Sequence, residues 1–121
     1  MTIDTNILIA YLKGEPVVVE ALVAWQQEGR ALIISSVTIA ELLAYSELSE
    51  VDVEMIYRLR SFLISVPSDD YIAEIAAKMR RVYRLSLGDA AIVATAVART
   101  TPLVTRDKQL RRVKEITVLT F

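Results

Sequence analysis

Histidine and cysteine are both absent from this chain of 121 residues. The absence of cysteine excludes disulfides, thiolate nucleophiles and cysteine metal sites. The absence of histidine excludes Ser-His-Asp hydrolysis, general acid-base catalysis by imidazole and imidazole metal ligation. Any catalysis by this chain must therefore use carboxylates, hydroxyls, amines or a hard metal ion.

Glycine and long apolar runs are also scarce. Three glycines, at positions 14, 29 and 88, cannot form a phosphate-binding loop or a dinucleotide-binding fingerprint. No apolar run reaches the roughly 18 residues of a membrane span, and no secretory signal pattern is found. These absences predict a cytoplasmic protein without a membrane partner.

Neither charge is in excess. The chain has 14 Lys and Arg residues and 15 Asp and Glu residues, which gives a formal net charge of -1. The field of the whole molecule therefore provides no general attraction to nucleic acid. Basic residues do cluster locally, and each cluster is explained either as a solvated helix face or as a rim that contacts phosphates. The clusters are Arg80, Arg81 and Arg84, and then Arg106, Lys108, Arg111, Arg112 and Lys114.

Apolar residues are abundant instead, at 54% of the chain with a mean hydropathy of +0.41. A chain of this length forms a single domain, 1–121, with a substantial core. The high apolar content favours a sheet buried on both faces, together with an apolar surface that a partner covers. Five aromatic residues fit such partner-covered helices, although aromatic residues at helical spacing more often simply belong to the core: Tyr11, Trp25, Tyr45, Tyr57 and Phe62.

Short apolar runs alternate with amphipathic segments along the chain. The runs predict strands at 1–4, 31–35, 63–66, 103–105 and 116–121. The amphipathic segments predict six helices, at 6–13, 16–28, 36 or 38 to 48, from 49 onward, 68–83 and 89–98. Ser68 is the predicted cap of the fifth helix, and Asp89 begins the sixth. Residues 106–111 are predicted to form a short helix or a loop. This alternation predicts an α/β fold whose mainly parallel sheet of four or five strands has helices on both sides.

Four acidic residues fall at comparable places in this plan. Asp4 ends the first strand, and Glu41 lies in the first turns of the helix after the second strand. Asp89 begins the Ala-rich helix, and Asp107 follows the strand 103–105 by two residues. Because the carboxyl ends of parallel strands meet at one edge of the sheet, we expect all four acids there. Taken singly, each is also explained as a helix cap or a dipole partner.

Bringing four carboxylates together is costly, because like charges raise one another's pKa. Glu41 and Asp89 also interrupt apolar runs, which predicts that both are buried and need a partner. A bound Mg²⁺ or Mn²⁺ ion removes the penalty, since both ions prefer carboxylate oxygens. The pattern therefore predicts a site for one or two divalent cations.

Four segments of the chain carry a resemblance to a known family. In this order and at these separations they resemble a PIN domain of the VapC type, the toxin half of type II toxin-antitoxin modules. The match spans essentially the whole chain. The segments are Asp4-Thr5-Asn6, 36–42 around Glu41, 88–96 beginning Gly88-Asp89, and 103–107 ending Thr105-Arg106-Asp107.

This resemblance implies a three-layer α/β/α fold with strand order 3-2-1-4-5 and a Mg²⁺- or Mn²⁺-dependent ribonuclease. Asp4, Glu41 and Asp89 match the family's main metal-binding acids. Asp107 matches a fourth, more variable acid, while Asn6 and Thr105 match polar residues that orient the acidic cluster. The resemblance further implies a small antitoxin protein and a second copy of the chain, as a homodimer, as partners.

The resulting hypothesis is that the metal activates a water for in-line attack on an RNA phosphodiester. Flanking phosphates would contact the predicted RNA-binding residues, which are Arg106, Lys108, Arg80, Arg81 and Arg84. The chain departs from the family pattern in two respects: it is not basic, and only three residues precede Asp4. The second predicts a short first strand or a start upstream of Met1.

Two rival hypotheses come from other classes of protein. One is a catalytically inactive PIN-like module that binds RNA or protein without cutting it. The other is an aspartyl-phosphate enzyme, because Asp4-x-Asn6 loosely resembles a nucleophile motif. The second rival lacks the adjacent acid pair and the phosphate-binding lysine that such enzymes use.

Overall fold

Five short parallel strands form the centre of the structure, a computed structural model that describes residues 1–121. Every strand pairing is parallel, and the order across the sheet is β3-β2-β1-β4-β5. The predicted α/β class and the 3-2-1-4-5 order are confirmed, and β1 is short. The strands are β1 (Thr2–Ile3), β2 (Ile33–Ser35), β3 (Ile64–Val66), β4 (Leu103–Val104) and β5 (Val118–Leu119).

Helices connect the strands and cover the sheet. The last connection, between β4 and β5, is a single 3₁₀-helix, Lys108–Arg112. None of the α-helices combines the length and apolar character that a membrane crossing requires. The helices are α1 (Thr5–Leu12), α2 (Pro16–Gln27), α3 (Ser36–Leu43), α4 (Glu50–Arg60), α5 (Asp70–Tyr83) and α6 (Leu87–Arg99).

Two hydrophobic clusters, one on each face, give the fold its three layers. Successive strand residues point to opposite faces, so Ile33 and Leu103 pack with α5 and α6. Their neighbours Ile34 and Val104 pack with residues of α1 to α4. A sheet buried on both sides accounts for the high apolar content and for strands that read as continuous apolar runs.

The helix α6 lies in the middle of the second layer. Its residues 90–96 are all buried, and the small alanine side chains let the helix pack closely against the sheet. The helix begins after Ser86, whose hydroxyl accepts a hydrogen bond from the Asp89 N–H at 3.2 Å. Asp89 is therefore held at the carboxyl edge of the sheet by the same packing that buries the helix.

Three predicted helix boundaries were wrong. Helix α3 ends at Leu43 instead of residue 48, with Ala44 as its C-cap, whereas α4 begins with Ser49 as its N-cap, as predicted, through a reciprocal capping box of Ser49 and Asp52. Helix α5 is capped by Asp69 instead of Ser68, whose N–H bonds the Ser36 hydroxyl at 3.0 Å. Asp89 lies inside the first turn of α6 and does not begin it.

The close packing of α6 predicts that the helix tolerates no larger side chain. Ala94 is fully buried, so Ala94→Leu should lower the free energy of unfolding by about 1–3 kcal/mol through overpacking. Urea denaturation measures the change. The matched control is Ala73→Leu on the exposed face of α5, for which we expect a change within about 0.5 kcal/mol. Equal changes in the free energy of unfolding at the two positions would contradict the close packing of α6 against the sheet.

Candidate functional site

An open cleft of about 450 Å³ lies at the carboxyl edge of the sheet, and all four predicted acids line it. Asp4 follows β1 and caps α1, while Glu41 projects from α3. Asp89 lies in the first turn of α6, and Asp107 caps the 3₁₀-helix that follows β4. The four elements begin at the same sheet edge because the strands before them are parallel.

Asp4 is the buried member of the set, with 5% of its surface exposed. Its Oδ1 accepts a hydrogen bond from the backbone N–H of Thr5 at 2.7 Å. Its Oδ2 accepts from the Thr105 hydroxyl at 2.6 Å and from the Asn6 amide at 3.3 Å. All three donors are neutral, so no cation of the chain balances the Asp4 charge.

Burial raises the pKa of Asp4 from 3.8 to about 6. The hydrogen bonds from Thr105 and Thr5 oppose this rise, while the negative charges of Asp89 and Glu41 add to it. The carboxylates of three different elements therefore interact electrostatically across the cleft.

Asn6 and Thr105 connect Asp4 to the loop that carries Asp107. The Asn6 amide donates to the Thr105 hydroxyl oxygen at 3.2 Å, and the Asn6 carbonyl accepts from the Arg106 N–H at 3.2 Å. The same hydroxyl oxygen of Thr105 accepts from the Asp107 N–H at 3.0 Å. A substitution of Asn6 or Thr105 would thus disturb the hydrogen bonds that position both Asp4 and Asp107.

The expectation that Glu41 and Asp89 are both buried was wrong. Glu41 is exposed and Asp89 is half-buried, because both side chains line an open cleft instead of the core. Glu41 does have a partner, since its Oε1 accepts from the Thr5 hydroxyl at 2.6 Å. Asp4 is the acid whose charged form is destabilised by burial.

Sequence reasoning did not single out Thr5 and Thr38, which both belong to this site. The Thr5 hydroxyl lies 3.1 Å from the Thr38 hydroxyl, and both residues are buried beside Glu41. A signal was available for Thr38, which precedes Glu41 by three residues and so lies on the same face of α3. Thr5 could have been found from its place between Asp4 and Asn6.

The chemistry of the lining residues fits a hard divalent cation. Every candidate ligand is a carboxylate oxygen, which Mg²⁺ and Mn²⁺ prefer. Burial is the main cause of the raised pKa of Asp4 and the negative charges of Asp89 and Glu41 add to it, so a bound cation would offset both effects. The four acids do not form a ready-made set of three ligands, so some of these side chains would have to move for an ion to be bound.

The predicted RNA-binding residues lie in two different places. Arg106 and Lys108 are exposed beside the acidic cleft, and Arg106 forms a two-point ion pair with Glu15 at the start of α2. The other three arginines do not line the acidic cleft. They line a separate open cleft of about 530 Å³ at the end of α5, together with Ala77 and Leu85: Arg80, Arg81 and Arg84.

Comparison with known proteins agrees with this geometry. The sequence profile of the PIN domain matches residues 1–116. A toxin-antitoxin complex from Klebsiella pneumoniae contains a chain 30% identical to this one, with a TM-score of 0.79 over 98% of this chain and 95% of that one. No curated protein matches the chain in sequence.

Two further solved structures share the fold at lower identity. VapBC2 from Rickettsia felis, bound to a DNA fragment from its promoter, has a TM-score of 0.87 at 19% identity over 99% of this chain and 97% of that one. DNA-bound VapBC from Salmonella typhimurium has a TM-score of 0.85 at 22% identity over 98% and 96%.

The parallel sheet of order 3-2-1-4-5 with an acid-lined cleft at its carboxyl edge defines a PIN-like α/β domain. The chain belongs to the PIN domain family. The predicted resemblance to VapC-type PIN domains, carried by the segments 4–6, 36–42, 88–96 and 103–107, is confirmed.

The buried Asp4 predicts a specific pH dependence of stability when no divalent cation is present. Its folded pKa of about 6 exceeds the ordinary 3.8, so the folded state holds its proton at pH values where the unfolded state has lost it. Stability therefore falls as pH rises between about 4 and 6, by up to about 3 kcal/mol at 1.36 kcal/mol per pKa unit.

The measurement is urea denaturation in EDTA of the unsubstituted chain and of Asp4→Ala at pH 4 and pH 7. The substitution removes hydrogen bonds at both pH values, so only the change in its effect with pH reports ionisation of Asp4. We expect Asp4→Ala to be less destabilising at pH 7 than at pH 4. An equal effect at both pH values would show that Asp4 ionises normally.

Proposed function

We propose that this protein is a Mg²⁺- or Mn²⁺-dependent endoribonuclease and the toxin of a toxin-antitoxin pair. The observation that carries the proposal is the meeting of four acids from four elements at one cleft of a PIN fold. The 30% identity to a chain of the Klebsiella pneumoniae toxin-antitoxin complex supports the toxin assignment. The reaction is hydrolysis of an RNA phosphodiester bond.

Asp4, Glu41, Asp89 and Asp107 are the residues that would hold one or two cations. A divalent cation bound there supplies Lewis-acid chemistry, by activating a water and by stabilising negative charge on the phosphate and the leaving oxygen. The chain contains no histidine or cysteine that would provide another route to hydrolysis. The neutral donors around Asp4 hold its carboxylate in place without cancelling the charge that attracts a cation.

Basic residues beside the acidic cleft would hold the RNA backbone. Arg106 and Lys108 are exposed next to Asp107, where they can contact the phosphates that flank the cleaved bond. Leu85 lines the arginine cleft and Asp89 lines the acidic cleft, so only residues 86–88 separate the two clefts along the chain. An RNA strand that follows this segment would meet Arg80, Arg81 and Arg84 away from the reacting phosphate.

The proposed partners are a small antitoxin protein and a second copy of the chain. Three of the aromatic residues that suggested partner-covered helices have more than half of their surface exposed: Tyr45 (56%), Tyr57 (55%) and Phe62 (55%). Exposed aromatic rings of this kind are enriched at protein interfaces. Trp25, in contrast, is half-buried and packs against Phe121 within the chain.

Removing one carboxylate should abolish cleavage and leave the fold intact. In α6 the helix cap uses the backbone of Asp89 and the Ser86 hydroxyl, so Asp89→Asn preserves it. We expect at least about a 100-fold loss of cleavage, the order that a lost charge-stabilising group costs. The assay incubates total RNA with Mg²⁺ or Mn²⁺ and maps new ends, while titration calorimetry measures Mn²⁺ affinity.

The matched control for this experiment is Asp70→Asn, which removes the same charge from the exposed first turn of α5. It should leave cleavage and Mn²⁺ affinity unchanged. Full activity in Asp89→Asn would refute the metal-held mechanism. Binding of RNA without cleavage, and without Mn²⁺ binding at millimolar concentration, would instead identify a catalytically inactive binding module.

The ion pair between Arg106 and Glu15 provides a test of the RNA-binding assignment. If Arg106 contacts a phosphate, Arg106→Ala weakens binding of a labelled single-stranded RNA and lowers the salt-dependence slope by about 1. Glu15→Gln should have the opposite effect, because it frees the guanidinium of Arg106 from its carboxylate partner. Binding is measured by fluorescence anisotropy in the uncleaving Asp89→Asn background. Weaker binding in Glu15→Gln would mean that the ion pair supports the loop instead of competing with RNA.

A further inference from the structure

The carboxylate of Glu41 lies between two elements other than its own helix, α1 and α6. One oxygen, Oε1, accepts a 2.6 Å hydrogen bond from the Thr5 hydroxyl on α1. The other oxygen, Oε2, faces Gly88 in the first turn of α6, where an added Cβ atom would lie 3.3 Å from it. Glu41 is exposed, yet both of its oxygens have a defined neighbour.

The hydroxyls of Thr5 and Thr38 act as a connected pair. Thr5 has one hydroxyl proton, and its shorter bond, to the charged Glu41, takes that proton. The buried Thr38 hydroxyl, 3.1 Å away, is the more distant acceptor for the same proton. Thr38 thus contacts the Thr5 hydroxyl and restricts where it can lie, while the shorter bond goes to Glu41.

Gly88 keeps the space beside Glu41 open. The backbone of Gly88 needs no special conformation, since its φ is not positive, so the helix itself would accept alanine there. A methyl group at 3.3 Å would press on Glu41 Oε2, and the far end of a flexible side chain is what would move. An alanine at this position would therefore act on Glu41 and not on the helix.

We propose that Thr5, Thr38 and Gly88 are positioning residues that hold the Glu41 carboxylate in the cleft before a cation binds. An exposed glutamate otherwise samples many rotamers and loses that freedom on binding. Here the Thr5 and Thr38 hydroxyls restrict the side chain during folding, and Gly88 leaves room for its second oxygen. The consequence for metal affinity rests on the proposed function, whereas the placement of Glu41 does not.

The first test is independent of metal. Crystal structures in EDTA of the unsubstituted chain, Thr5→Val and Thr5→Ser would locate the Glu41 carboxylate. Valine keeps the shape of Thr5 and its backbone bond to Asp4, and removes only the hydroxyl. We expect the Glu41 carboxylate to leave its place in Thr5→Val and to keep it in Thr5→Ser. An unmoved Glu41 in Thr5→Val overturns the proposal.

The second test is Mn²⁺ affinity by titration calorimetry. Residues that orient metal ligands typically contribute about 10- to 100-fold to affinity, and we expect a loss of that size in Thr5→Val with recovery in Thr5→Ser. Thr38→Val should cause a smaller loss, because Thr5 still donates to Glu41. Gly88→Ala should lower Mn²⁺ affinity while its thermal midpoint stays the same or rises, since alanine favours a helix more than glycine does.

The matched control is Thr95→Val. Thr95 is as buried as Thr38, but its hydroxyl donates only to the Ala91 carbonyl inside α6 at 2.8 Å. It should leave Mn²⁺ affinity unchanged. Unchanged affinity in Thr5→Val and Gly88→Ala, with Mn²⁺ bound by the unsubstituted chain, overturns the proposal alone. Absence of Mn²⁺ binding by the unsubstituted chain overturns the proposed function, and the crystal structures still decide the placement of Glu41.

Discussion

A buried carboxylate at the end of the central strand is the constraint on which the rest of the structure depends. Asp4 follows β1, which lies between β2 and β4 in the middle of the sheet. Its charge is tolerable because Thr105, which follows β4, donates a hydroxyl proton while the start of α1 donates a backbone N–H. These bonds join the ends of neighbouring strands, so the acidic edge and the centre of the sheet form one unit.

Around this carboxylate the chain uses neutral donors where cations would be expected. Hydroxyls and an amide surround Asp4 and Glu41, and the nearby Arg106 is paired with Glu15 outside the cleft. A neutral donor fixes the direction of a carboxylate and leaves most of its charge uncompensated. The negative potential of the cleft is therefore available to an external cation, which is the electrostatic reason for preferring a metal-dependent function over a simple structural role.

Much of the fold could be predicted because local patterns and the burial of both sheet faces agree. The apolar runs before Asp4 and at 31–35 predicted strands correctly, and the small residues of 90–96 predicted a central helix. Two of the wrong boundaries share one cause, since the hydroxyls of Ser36 and Ser86 accept hydrogen bonds from backbone N–H groups near the starts of α5 and α6. Which hydroxyl caps which helix depends on where the chain turns, and a local pattern does not contain that information.

The sequence by itself determined the order of strands and helices, the absence of every catalytic side chain except carboxylates, hydroxyls and amines, and the placement of four acids at strand ends. Only the tertiary structure decided that Asp4 is buried while Glu41 is exposed, that Thr5 contacts Glu41, and that Arg106 pairs with Glu15. The last two contacts join residues 36 and 91 positions apart. Their existence depends on how the helices rotate as they pack on the sheet, which periodicity along the chain does not specify.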